Sequence, residues 1–389
     1  MRLLLRTAVA LAACSGAAGP LQAQEPETGA FVVTIGRDTL AVERYTRTAD
    51  RLQGEVIGRA PRATSSTYDA VLRPDGSIAR IEITTRQLNA PAGAPANRST
   101  VEFGADSATV VLQRGDSVRT QRVPTPHGAS IPLVGNSYAV YEQAIMHFRR
   151  AAAADSLKMS MVAPGNARSY DLTLRRVGAD SLTLSNIAGL QRVHADARGR
   201  LLGLDGLQST QKFIVQRLPT LDLTALGAEF ARREAGGQGV GPLSPRDSVT
   251  AQVGGARVSV NYGRPYKRGR TILGDVVPWG QVWRTGANQA THFTTDRDLM
   301  VGAAHVPAGT YTLWSLPTPQ GWQLIINRQT GQWGTEYDAR QDLARVPMRV
   351  SRTEQPVEQF TIRIVPTGDG GTLHLAWDDT EASVPFVVH

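Results

Sequence analysis

The sequence predicts a mainly β fold in two units: an N-terminal curved antiparallel sheet with one or two helices, and a C-terminal β-sandwich of jelly-roll type. Three observations carry this expectation. Short runs of alternating apolar and polar residues, parted by Gly- and Asp-containing turns, recur along most of the 389 residues, and a period of two marks strands with one buried face. All six tryptophans lie between Trp279 and Trp377, so composition changes sharply late in the chain. Just upstream, REAGGQGVGPLSPRD (233–247) has the Gly, Pro and Ser content of a flexible joint. The expected division is a leader at 1–23, a meander domain at 24–235, a linker at 236–247 and a sandwich at 248–389.

The leader, MRLLLRTAVALAACSGAAGPLQAQ, sets Arg2 and Arg6 before an apolar run from Ala8 to Ala18 and a Gly19-Pro20 break, the pattern of an export signal. Cleavage after Ala23 is expected. A competing signal is LAAC (11–14), a lipoprotein box in which Cys14 would carry lipid and anchor the chain. Only Ala8 to Ala13 would then serve as the apolar region, which is short, whereas Leu21 is large for an A-x-A site. Either way the protein is expected to be exported, periplasmic or secreted. Cys14 is the only cysteine, so cleavage at Ala23 excludes disulfides, thiolate zinc sites and a cysteine nucleophile. No other apolar run approaches the ~18 residues that cross a bilayer, so no transmembrane segment is expected in the mature chain. The formal charge of +8 becomes +6 without Arg2 and Arg6. In an exported protein this excess suits acidic surface polymers, lipid headgroups or mere solubility, and no nucleic-acid partner is expected.

In the first domain the alternating runs are FVVTI (31–35), IARIEITT (78–85), SATVVLQ (107–113), YDLTLRRV (170–177) and SLTLSNI (181–187), with Asp75-Gly76 and Gly115-Asp116 among the turns. Turns need residues that tolerate positive φ, so this is the spacing of an antiparallel meander. A helix over 137–153 places Tyr141, Ile145 and Phe148 on one face, with Ser137 as the expected N-cap. A second, over 221–235, has Leu223, Leu226 and Phe230 behind Asp222 as cap. After the linker, strands are expected at 256–263, 291–295, 310–316, 322–327, 347–351, 359–365, 372–377 and 384–388, about what a two-sheet sandwich needs.

No hydrolase, zinc-protease, Walker or calcium-loop signature occurs, and no cofactor or metal is expected. The linker glycines fail the dinucleotide-binding spacing, with Pro242 at the required third place. STQK (209–212) has the S-x-x-K spacing of acyl-transfer enzymes, but LQSTQKFIVQ (207–216) alternates like a strand, which would put Ser209 and Lys212 on opposite faces. His292 and His374, on expected strands, would form an open metal site only by converging with Asp296 or Asp298.

The densest polar cluster is NYGRPYKRGRTILGDVVPWGQVWRTGAN (261–288), with Arg264, Lys267, Arg268, Arg270 and Arg284. A guanidinium donates two parallel hydrogen bonds to a carboxylate or phosphate, and Tyr262, Trp279 and Trp283 are rings on which a planar or sugar ring can stack. The competing reading is scaffold: Trp283 fills the sandwich core while Arg284 and Asn288 pair with a carboxylate or backbone groups to hold an irregular loop. Lys267 and Arg268, beside Gly and Pro, read as solvated loop charges. WGTEYDARQD (333–342) offers Glu336, Asp338 and Asp342 either as paired acids for glycoside hydrolysis or as caps and counter-charges.

The motifs YGRPYKRGRTILG (262–274), VPWGQVWRTGANQATHF (277–293), VPAGTYTLWSLP (306–317), WGTEYDARQDLARV (333–346) and LHLAWDDTEASVPF (373–386) resemble a bacterial family catalogued as domain of unknown function 2911. That resemblance implies an exported β-rich domain and brings no activity or catalytic residue with it. The expected function is non-catalytic binding of an anionic or carbohydrate-like envelope ligand (a glycan, a lipid or a cell-wall fragment) through Tyr262, Arg264, Arg270, Trp283, Arg284, Asn288 and Thr291. The alternatives are an envelope polysaccharide hydrolase using the carboxylates of 336–342, and an assembly module whose first domain holds a lipid or partner helix.

Overall fold

The computed structural model describes residues 25–150 and 154–389. The leader with Cys14 and Ala23, and residues 151–153 of the first expected helix, lie outside the described residues. The chain is mainly β, with sheets of 15 and nine strands and two α-helices among the described residues.

The larger sheet joins two meanders. Eight strands from Glu27–Ile35 to Ser117–Pro124 follow one another as antiparallel neighbours, and a second run returns so that its last strand, Ile214–Leu218, pairs with the first. Strand twist makes so wide a sheet curl. Its far strands come together, with Ser169 Oγ donating to the Pro124 carbonyl at 2.7 Å and His127 Nε2 at 2.8 Å from Asp171 Oδ1. Inside the curl lies helix α1 (Ala139–Arg150), which buries Ala144, Ile145 and Phe148 in one core with Phe31, Leu52, Ile81, Leu172 and Val193. The concave face is therefore occupied by the chain's own helix.

Two fully buried carboxylates hold that helix. Glu43, from strand Asp38–Arg47, accepts from the backbone nitrogens of Tyr138 (2.6 Å) and Ala139 (3.1 Å), from Ser137 Oγ (2.5 Å) and from the Tyr68 hydroxyl (2.7 Å). A carboxylate there satisfies orphan donors at the positive end of the helix. Ser137 is thus not the expected N-cap; its hydroxyl donates to the carboxylate that occupies that place. Glu142, on the helix, accepts from Tyr45, Arg47, Arg217 and the backbone nitrogen of Leu201. The Tyr68 ring reaches Glu43 across Gly54, where a Cβ would collide with the phenol and with the Arg44 carbonyl. Helix α2 (Leu223–Ala235) packs Leu223 and Phe230 on Val42 and Ile57, the other face of the same sheet. As expected, Asp222 caps it by accepting from Ala225 N at 2.9 Å.

One strand expectation is overturned. Pairing begins only at Ile214, while Gly206 N donates to the Phe213 carbonyl (2.8 Å), Ser209 Oγ donates to the Gly206 carbonyl (2.7 Å), and Lys212 adopts φ of 58°. Ser209 and Lys212 sit on a closed turn, because side chain to backbone bonding outcompetes the ladder.

The second sheet runs from Arg246–Val253 to Gly370–Val388. The strand Asp342–Thr367 pairs with Gly321–Asn327 up to Met348 and from Arg349 onward with Gly370–Val388, with irregularities between Arg352 and Thr361. It so joins two layers whose inner faces meet at Tyr262, Phe360, Trp322 and Trp377. The segment between the sheets is docked, with Val240 and Leu243 packed on the first core. The hairpin tip at 36–38 enters the loop 266–270, where Arg37 N donates to the Arg268 carbonyl at 3.0 Å.

Candidate functional site

The VWRTGAN loop is tied to its neighbours through backbone. Trp283 N donates to the Ser315 carbonyl (2.8 Å) and Ser315 N to that of Trp283 (2.9 Å), while Gly334 N donates to the Asn288 carbonyl (2.9 Å). Thr285, Gly286 and Asn288 all have positive φ, so the loop turns sharply at three places. Thr291 Oγ1 donates to the Thr285 carbonyl (2.7 Å), and the Thr285 and Ser315 hydroxyls lie 3.0 Å apart. Gly334 is required by close approach, since a Cβ there would meet Arg284 Cδ and the Asn288 carbonyl.

Several residues expected at the site have structural partners. Tyr262 is buried, edge-on to Phe360, with its hydroxyl accepting from Ile362 N at 2.9 Å. Trp283 stacks on Trp377 (centroids 5.9 Å, 17° between planes) and meets Phe360 edge-on at 5.0 Å. Beside these rings the sandwich leaves a slot of only about 10 Å³, lined also by Ile272, Leu375 and Trp322, room for one water. Arg264 bonds Asp247 (2.9 Å), Thr361 Oγ1 (2.9 Å) and the Phe360 carbonyl (3.2 Å). Asn288 is exposed at the turn.

Two residues read as solvated charges are not. Arg268 is 8% exposed and ion-paired with Asp38 of the first domain, at 2.5 Å; Lys267 pairs with Asp378. Position beside Gly and Pro gave no sign that an acid from a distant segment would meet each of them.

Arg284 stands apart. Its Nε reaches only the Gly286 carbonyl, at 3.4 Å, and among the described residues no carboxylate lies within ion-pairing distance of its guanidinium. Burial pushes its pKa down to about 10. The Arg270 guanidinium bonds only carbonyls, those of Lys267 and Tyr266, and burial, then Arg268, lower it to about 10. The sequence reading missed a third cation: Lys212, on the turn of the first domain, whose Nζ donates to the Leu207 carbonyl and lies 3.5 Å from the Asp275 carbonyl. Burial, then Arg284 and Arg270, lower Lys212 to about 8. Its turn chemistry was the available signal, hidden by an alternation that looked like a strand. Two tryptophans of this part of the chain are exposed, Trp279 (40%), beside Gly274, and Trp333 (37%), which bridges to Gln289 next to the loop.

The other groups do not assemble. His292 Nε2 accepts from Gly331 N at 3.1 Å, whereas His374 Nδ1 lies 2.9 Å from Glu381, so the two histidines meet different partners and do not converge with Asp296 or Asp298. Among the described residues no three His, Cys, Asp or Glu side chains are grouped to hold a metal. Glu336 accepts from Trp333 N (3.1 Å), and Asp342 accepts from Tyr337, Arg345 and Asn327. Asp338 caps the turn at Ala339–Gln341, and Arg340 holds its carboxyl below the usual range, the opposite of what a general acid needs.

Residues 244–386 match the family model described as "Protein of unknown function (DUF2911)". This C-terminal part of the chain is where the sequence motifs placed the resemblance. No curated protein matches. Among solved structures the chain is similar to a DUF1089 family protein from Pseudomonas aeruginosa, at 13% identity over 42% of this chain and 89% of that one, with a TM-score of 0.32. It is also similar to a β-barrel-like protein of domain of unknown function DUF1849 from Brucella abortus, at 10% identity over 49% and 94%, with a TM-score of 0.31. Among the described residues no helix is long and apolar enough to cross a membrane.

Proposed function

We propose that the protein is exported behind the leader at 1–23 and that its C-terminal sandwich binds an anionic envelope ligand without catalysing its conversion, with Arg284 as anchor. The observation that carries this reading is a half-buried guanidinium that has one long bond to a carbonyl and, among the described residues, no carboxylate partner. Partial desolvation of a cation is costly, and proteins commonly supply a counter-charge. A carboxylate or phosphate from a ligand would supply it, through the guanidinium fork. Exposed Trp279 and Trp333 offer ring faces to a sugar-bearing ligand, a role that Trp283, stacked between Trp377 and Phe360, leaves to them.

The test is a titration of the full mature chain with acidic glycans, anionic lipids and cell-wall fragments, with Arg284→Met alongside. Binding by the wild type that weakens at least ~10-fold in the variant is expected, the loss of one charge-assisted contact. No binding across the panel, or equal binding by both proteins, overturns the reading.

A further inference from the structure

We infer that the first domain carries a binding cleft of its own, for an acidic saccharide, on the outer face of its sheet: Arg86 and Arg98 form its cationic floor and the loop 88–96 its wall. The cleft does not rest on the binding role proposed for Arg284, and it lies outside the residues that match the family model.

Strand periodicity puts the two arginines on one surface. Ile81 and Ile83 in Ile78–Gln87, Val101 in Asn97–Phe103 and Val110 in Ser107–Arg114 belong to the core. Successive side chains alternate, so Arg86, Arg98 and Gln113 point outward. Arg98 stands opposite Thr84 on one side and Gln113 on the other, and Arg86 follows Thr84 by two residues. Such diagonal neighbours lie ~7–8 Å apart in a sheet, within reach of one ligand for two long side chains.

The wall is built in advance. Leu88 N donates to the Ala63 carbonyl at 2.9 Å, and Asn89 Nδ2 donates to the Ala231 carbonyl (3.0 Å) and to Glu234 Oε2 (2.8 Å) of helix α2. Beyond that anchor Pro91 and Pro95 fix two φ angles, and Ala94 N donates to the Pro91 carbonyl at 3.0 Å. Between this loop and the strands lies a cleft of about 580 Å³, with Arg86, Arg98, Gln87, Gln113, Pro91 and Pro95 in its lining. That volume falls within the ~300–1,000 Å³ of ordinary ligand sites, and a loop already held loses little freedom on binding.

The lining selects the ligand. It holds two cations and no carboxylate. Among the described residues neither guanidinium has an ion pair, because the acids of the same face are engaged elsewhere: Arg80 holds Glu82 and Glu102, Arg51 holds Asp69, and Ser65 Oγ donates to Glu55 at 2.6 Å. Asp116, in the hairpin turn beyond Gly115, is outside the lining. Two open guanidinium forks match a carboxylate or a phosphate. Gln87 and Gln113 each carry a donor and an acceptor, as hydroxyl groups require. No aromatic or large aliphatic side chain lines the cleft, so it offers nothing to an acyl chain. An anion rich in hydroxyls, a uronic acid or a sugar phosphate, meets all of these terms.

The experiment uses the full mature chain carrying Arg284→Met, which removes the anchor proposed for the other domain. This chain is compared with versions that add Arg86→Gln with Arg98→Gln, Ala94→Trp to fill the cleft, or Arg349→Gln as a charge control in the second domain; all these added changes fall at exposed positions. Trigalacturonate, glucose 6-phosphate and neutral maltotriose are titrated calorimetrically, and amide exchange is followed separately at 86–98 and 282–291. Binding of an acidic probe that protects 86–98, weakens at least ~10-fold in the arginine double variant and in Ala94→Trp, and is unchanged in Arg349→Gln supports the cleft. Preference between the two acidic probes tells a carboxylate from a phosphate. Equal binding of maltotriose, equal weakening in Arg349→Gln, protection confined to 282–291, or no binding overturns it. Because Arg284 is absent throughout, none of these outcomes touches the reading of that residue, and its failure would leave the cleft standing.

Discussion

Lys212 Nζ lies 3.5 Å from the backbone carbonyl of Asp275, a contact between two domains whose sheets share no strand. Together with the Arg268 to Asp38 ion pair and the packing of Val240 and Leu243 on the first core, it makes the junction a built surface rather than a tether. A segment rich in Gly and Pro was expected to be a flexible joint. It is docked because two apolar side chains within it find the neighbouring core, and burial of even a few such groups outweighs local chain entropy.

The depressed value of Lys212 sets the sign of a pH dependence. The groups facing it are Arg284, Arg270, Asp275 and Asp205. Its folded pKa of about 8 lies below the ordinary 10.5, so between those values the unfolded chain binds more protons and stability rises with pH. The difference in unfolding midpoint between wild type and Lys212→Met is expected to shift in favour of the wild type from pH 8 to pH 10. A difference that is flat across that window would contradict this.

Arg284→Met and Arg264→Met should part company. Met keeps much of the apolar stem but removes charge and donors. At Arg264 this leaves Asp247, Thr361 and the Phe360 carbonyl without their donor, at a cost of about 1–2 kcal/mol. At Arg284 no acid is orphaned and a poorly solvated charge disappears, so the midpoint should hold or rise. Thermal unfolding of the two variants compares them directly, and a loss at Arg284 as large as that at Arg264 would return VWRTGAN to scaffold.

Trp283→Ala tests the scaffold part of the same motif. The ring packs between Trp377 and Phe360, and truncating a packed aromatic costs about 3–5 kcal/mol; partial exposure places this one at the lower end, about 3 kcal/mol. Denaturant unfolding should show the loss, and a change below ~1 kcal/mol would show that the slot at its edge collapses without cost.

The strands were legible because alternation survives wherever a sheet has one wet face. It fails in DTLAVERYTR (38–47), where Leu40 and Val42 alternate with Ala41, Glu43 and Tyr45, and both sets are buried. The sheet there is covered on one side by α1 and on the other by α2, so neither face is polar and Glu43 has no pattern to mark it. Likewise Arg284 and Arg264 are alike in sequence. What separates them is whether an acid from a remote strand arrives, and that depends on register.

Glu43→Gln examines the buried carboxylate itself. Burial pushes its carboxyl above the ordinary range, and the four donors oppose that shift. Every donor around it is an N–H or O–H: Tyr138 N, Ala139 N, Ser137 Oγ and Tyr68 Oη. A carboxylate accepts from all four, whereas an amide turns an NH2 group toward one pair and accepts with a single oxygen. The NH2 then faces the Ser137 and Tyr68 hydroxyls, which must turn to accept from it and lose their own acceptor, and the charge that favours the helix N-terminus is gone. The expected loss is about 3 kcal/mol, from hydrogen bonds to a charged group and from donors left unpaired. Because α1 fills the curl of the first sheet, the same variant should expose the helix and lower amide protection across residues 139–150. A Glu43→Gln protein as stable as the wild type from pH 5 to pH 8 would mean that Glu43 is protonated in the native state throughout that range.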